Sequence, residues 1–242
     1  MKLTRPRPAR RPVALIGLAA AGLLLTGCGS SIGIHPGSAA VVGDKSVSMS
    51  TIDDTATLYC KAFLTAQQSQ QQQSGPAPMG LFRSFAAAGL AKRALGEQLA
   101  SAYGVQPASG YQSQVSQLQQ VLSSAPKDQQ DAVIAVSGSD AYLQNVQVAI
   151  GQQLTGNSGQ SSADLKAALQ RGQVATKEWL DHHDVALDPV FGLSVDGGKF
   201  TQQQDQTSYP LSALASEGAQ VGGQQAPPSS YTSRLPAAQV CG

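Results

Sequence analysis

The 242 residues contain no phosphate-cradling glycine loop and no Cys-x-x-Cys pair. Readings built on a nucleotide or a cysteine zinc site therefore lack a starting motif. No basic stripe with interleaved aromatics occurs either, and nucleic acid is excluded as a partner because its phosphates demand clustered cations. The apolar run from Val13 to Leu25 falls short of the roughly 20 residues that a membrane-spanning helix needs. The adjacent carboxylates Asp53 and Asp54 are expected in a first helical turn, where anions are favoured for structural reasons. His182, His183 and their neighbours Asp181 and Asp184 are metal-capable, but adjacent positions on a helix point about 100° apart and do not share one ion. Histidines at that place answer the partial negative charge of a helix C-terminus, and His35 is expected in solvent. No enzyme, no metal and no cofactor are expected.

What is present begins at the amino terminus. Lys2, Arg5, Arg7, Arg10 and Arg11 precede the apolar run, which ends in Leu25-Thr26-Gly27-Cys28. Charge followed by an apolar run of this size is a signal peptide. The four closing residues resemble the bacterial lipobox, which implies cleavage after residue 27 and diacylglycerol on Cys28, with further acylation of the new amino terminus. Two or more acyl chains hold a protein stably on a bilayer where one does so only marginally. The expected location is the extracytoplasmic face of the cell membrane, with membrane lipid as the partner of acylated Cys28. Five of the sixteen Lys and Arg lie in this leader and none of the fifteen Asp and Glu does, so residues 28–242 carry a net charge of −4.

Residues 28–38 read as a tether, 39–200 as a mainly α-helical domain and 201–242 as a low-complexity tail. Ala39 to Val42 is strand-like, Gly43-Asp44 suits a tight turn, and Val47 lies on the returning stretch of a small hairpin. Ser50 with Asp53 predicts a capping box opening the first helix, which carries Cys60. After the glutamine run 67–73 and the prolines Pro76 and Pro78, spacing predicts a second helix with Leu81, Phe85, Ala88, Ala91, Leu95, Leu99 and Ala102 on one face, closed by Gly104. A third opens near Ser109 with Gln112 as capping partner and aligns Tyr111, Val115, Leu118 and Leu122 before Pro126. A short fourth carries Ala132, Val133 and Val136. A fifth carries Leu143, Val146, Ile150 and Leu154. A sixth, capped by Ser161 with Asp164, carries Leu165, Ala168, Ala175 and Trp179 and ends near His182. Val185 to Leu187 is extended, since Pro189 biases Asp188 away from helical dihedrals. Val190 to Phe200 predicts a hairpin turning at Asp196-Gly197-Gly198, and beyond Thr201 the chain reads as mostly irregular.

The stretch Ala39-Ala-Val-Val-Gly-Asp-Lys-Ser-Val-Ser-Met-Ser-Thr-Ile-Asp53 resembles the opening of the SurA amino-terminal domain. Lys177 to Val195, with Pro189-Val-Phe-Gly192, resembles the late helix and extended segment that return to complete that fold. The resemblance spans about Ala39 to Val195. It implies a chaperone that holds unfolded secreted chains in a groove between helices. SurA and its relative PrsA also carry a parvulin prolyl-isomerase domain, and no residues here can supply it, so a holding role without isomerase activity is expected. The helical faces are narrow, Ala-rich and bordered by Gln and Ser, and such faces either pack on one another or leave a soft groove. A structural or scaffolding lipoprotein that binds one folded envelope partner is therefore the alternative.

With Cys28 lipidated, Cys60 and Cys241 remain in an oxidising compartment where paired thiols tend to close, and a disulfide between them is expected. Two unpaired thiols and pairing of Cys241 between molecules are the other outcomes. An intramolecular bond would draw Leu235 and Val240 against the first helix and let the tail cover part of any client groove.

Overall fold

The computed structural model describes residues 36–69, 75–203, 210–221 and 227–242. The expected signal peptide, Cys28, His35, most of the expected tether and part of the glutamine run lie outside the described residues.

Strand β1 (Ser38–Val42) turns at Gly43, where φ is +54°, into β2 (Lys45–Ser48). Helix α1 (Met49–Ser69) starts one residue earlier than its predicted cap. The Thr51 N–H donates to the Ser48 hydroxyl at 3.1 Å, so Ser48 rather than Ser50 caps it. Ser50 lies inside the first turn and Asp53 in the second, where its carboxylate pairs with Arg83 at 2.6 Å.

The two-residue strand β3 (Ala77–Pro78) leads into α2 (Met79–Tyr103), which Gly104 closes in the left-handed conformation. This helix packs against α1, against α4 (Lys127–Ser137), against α5 (Ser139–Thr155) and against β1. Surrounded in this way, it buries more than one stripe. Ala91, Leu95 and Leu99 are buried as the spacing predicts. Phe82, Ala86, Ala87 and Ala94 are buried too, whereas Leu81, Phe85 and Ala88 are only half-buried and Ala102 is exposed.

Helix α3 (Gly110–Val121) buries Tyr111, and Leu122 follows it into the core, but the Ser109 side chain makes no capping bond. Helix α6 (Ser162–Leu180) is capped as predicted, the Asp164 N–H donating to the Ser161 hydroxyl at 3.2 Å. Helices α5 and α6 press together along a seam of small residues. A Cβ placed on Gly151 would fall 1.8 Å from the Ala168 carbonyl oxygen, and one on Gly172 would fall 1.9 Å from that of Gln147. Only glycine allows backbones this near.

After α6, strand β4 (Val185–Leu187) returns to the start of the domain and pairs antiparallel with β1, giving the order β2-β1-β4. Ala39, Ala40 and Val42 are fully buried in this central strand. The predicted hairpin forms as β5 (Leu193–Asp196) and β6 (Lys199–Gln202) around Gly197 and Gly198, both at positive φ. Its first residues differ, because Pro189–Phe191 form a 3-10 turn in which the Asp188 carboxylate accepts the Val190 N–H at 2.9 Å.

The tail departs from the irregular chain that its composition predicts. It contains α7 (Ala213–Val221), α8 (Ser229–Thr232), a 3-10 turn (Ala237–Gln239) and β7 (Val240–Cys241), which pairs antiparallel with β3. Ser212 opens α7 by accepting the Ala215 N–H, a local cap that overall composition does not reveal.

Candidate functional site

The shoulder between α1 and α2 gathers the disulfide and a group of aromatic side chains. Cys60 faces inward from the middle of α1 and is bonded to Cys241, with the two Cα atoms 5.9 Å apart. One helical turn on, Phe63 meets the Phe82 ring edge-on at 5.7 Å, and Tyr59 meets the same ring at 5.9 Å. Phe63 remains 41% exposed. The Tyr59 hydroxyl reaches Ser137 on α4 at 2.9 Å. The C-terminal strand borders this aromatic group: Val240 pairs with Pro78, Cys241 with Ala77, and Gly242 lies against Pro76 and Leu64. Sequence reasoning identified both cysteines and expected Leu235 and Val240 against the first helix. Val240 instead sits on β3, at the entrance to α2.

A second cluster joins β2, α2, α3 and α5. Arg93 donates through Nε to Glu97 at 3.0 Å and through Nη1 to the Tyr111 hydroxyl at 2.7 Å. Its guanidinium lies 3.9 Å from the centre of the Tyr142 ring, which in turn meets Tyr111 edge-on at 5.1 Å. Lys45 donates to the other Glu97 oxygen at 2.5 Å. Burial pushes the Glu97 carboxyl up, but the hydrogen bonds and charges of Lys45 and Arg93 outweigh it and hold the group below its ordinary value. Burial likewise opposes the charge on Arg93, and the bond to Glu97 together with Tyr111 more than offsets it. Burial raises the Tyr142 hydroxyl, against the nearby Arg93 charge. The charged groups of the cluster pair with one another and Arg93 lies on the Tyr142 ring, so the arrangement clamps four elements together. The sequence signal for it was confined to the Arg93 and Glu97 spacing, which by itself denotes an ordinary helical pair.

The histidines do not converge. The His183 ring stacks on Trp179 with centroids 3.9 Å apart, and its Nδ1 donates to the Trp179 carbonyl at 2.8 Å. The same carbonyl also accepts the His182 N–H at 3.1 Å. Among the described residues no three His, Cys, Asp or Glu side chains are grouped to hold a metal ion, and no helix is long and apolar enough to cross a membrane. A small open pocket of about 240 Å³ lies between the end of α6 and the β5–β6 hairpin, lined by Lys177, Asp181, His183 and Asp196 among others.

The chain matches no protein-family model, no curated protein and no solved structure.

Proposed function

We propose that the chain is an extracytoplasmic lipoprotein, held on the membrane through acylated Cys28, whose helical domain holds unfolded secreted polypeptides without isomerising their prolyl bonds. The observation that supports this reading is the order β2-β1-β4. The strand before α1 is paired on one side with its hairpin partner and on the other with the extended segment that follows α6. A SurA-like amino-terminal domain implies such a closure of the late segment onto the early one.

The closed helix seams favour a second reading, a scaffolding lipoprotein for one folded envelope partner. A Cβ on Gly89 would fall 2.7 Å from the Val136 Cα, and one on Gly96 would fall 2.8 Å from the Tyr142 ring. With the α5–α6 seam, these contacts fill the spaces between α2, α4, α5 and α6 that a groove would need.

Crosslinking in intact cells followed by capture of the chain separates the two. Holding predicts many secreted proteins, captured mainly while newly exported and unfolded. Recovery of one folded protein in stoichiometric amount overturns holding in favour of scaffolding.

A further inference from the structure

The C-terminal strand is seated by little besides its covalent bond. Its ladder has two residue pairs, Ala77 with Cys241 and Pro78 with Val240, and Pro78 has no N–H to contribute. Two-stranded pairings are marginal even at full hairpin length. Cys241 is 2% exposed and Cys60 8%, so the strand covers the middle of α1 while it is held. The surface beside it is apolar: Leu64 and Pro76 lie against Gly242, and the partly exposed Phe63 rests on Phe82.

We propose that residues 240–242 are a redox-held latch over this shoulder, and that the shoulder, once free, receives an extended apolar segment of another polypeptide along the β3 edge. The strand β7 is itself the template for that occupant, being an extended segment hydrogen-bonded to β3 with one apolar side chain turned inward. The neighbouring apolar side chains supply most of the affinity, and pairing to the short open edge sets the occupant's orientation. Release requires a dithiol of the thiol–disulfide exchange class. One of its thiolates attacks the Cys60–Cys241 bond and forms a mixed disulfide, expelling the other cysteine as a thiolate. The second thiol of the reductant then closes on the first. The reductant leaves as a disulfide, and Cys60 and Cys241 gain its two electrons and two protons. The identity of the occupant rests on the holding function proposed above, whereas the latch does not.

The latch is tested on residues 28–242 carrying Cys28→Ser, compared with the same chain carrying Cys60→Ser and Cys241→Ser. Amide hydrogen exchange at Ala77, which forms the hydrogen-bonded pair of the ladder with residue 241, should quicken in the second chain at least tenfold more than exchange at Leu95 and Leu99 in α2. Equal protection of Ala77 in both chains overturns the latch, and so does an equal loss of protection at Ala77 and throughout α2, which would make the bond a core staple. The occupant is tested with reduced, carboxymethylated lactalbumin as a permanently unfolded probe. It should bind the opened chain at least tenfold more tightly than the bonded one, and Phe63→Ser should remove most of that gain. Faster exchange with equal binding of the probe by both chains overturns the docking surface and leaves the latch and the holding function standing, whereas no binding by either chain overturns the holding function as well.

Discussion

Glu97 carries the clearest electrostatic consequence of any side chain described. Its carboxyl is held below its ordinary value in the folded chain, so it binds a proton less readily there than in the unfolded chain. The stability it contributes is full above the unfolded value of about 4.3 and is lost as pH falls from there through the lowered folded value. The ion pairs are partly exposed, and the contribution is below about 1 kcal/mol. In Glu97→Gln the acid-side loss of stability, measured as the urea midpoint followed from neutral pH down to about pH 3, should be shallower than in the parent. At the α5–α6 seam the magnitude is larger. Gly151→Ala places a methyl against the Ala168 carbonyl, which is backbone and cannot swing aside, and should cost about 3 kcal/mol in the same urea measurement. Neither residue was legible beforehand. Arg93, Glu97, Tyr111 and Tyr142 come from three helices, and nothing in their local spacing shows that they meet. Gly151 and Gly172 read as weak points in helices until the close approach they permit is seen.

At the scale of elements, the repeat of apolar residues located α1 to α6 and the returning strand β4, because amphipathic spacing and turn residues act locally. Caps and faces were less legible. Ser48 and Ser50 offer the same hydroxyl two residues apart, and the hairpin register decides which one meets the open N–H groups of α1. Ser48→Ala should therefore lower stability by about 1 kcal/mol while Ser50→Ala leaves it nearly unchanged, as read by thermal denaturation. Central helices are the hardest to orient from sequence. Helix α2 packs against α1, α4, α5 and the strands β1, β2 and β3, so the single face its spacing suggests is replaced by burial around much of its circumference. In the tail, Gln, Ser and Pro hid a cap and a helix, since composition averages over the short stretch Ser212 to Val221 that forms it.

For the whole molecule, the anchor at Cys28 is the decisive expectation. Replacing Cys28 by Ala should abolish incorporation of labelled fatty acid and move the protein from the membrane fraction to the medium or to an uncleaved precursor; unchanged labelling would remove the anchor from the proposal. The bond between Cys60 and Cys241 closes a loop spanning 181 residues. Chain-entropy reasoning assigns such a loop a model-dependent upper value of about 5 kcal/mol. Its partners were legible because only two cysteines remain after Cys28. The strand pairing that brings them together was not, since Ala77–Pro78 and Val240–Cys241 are too short to leave a pattern.

The place of β1 between β2 and β4 has a mechanical consequence. A pull applied to the chain ahead of Ser38 enters the domain along the axis of its central strand. The inter-strand hydrogen bonds run perpendicular to that axis, and both ladders, to Lys45–Ser48 and to Val185–Leu187, are loaded in shear. Their bonds must then yield together instead of peeling one after another. The strand is also fully buried at Ala39, Ala40 and Val42, so sliding it out exposes apolar surface. A domain tugged from this end resists as a clamp.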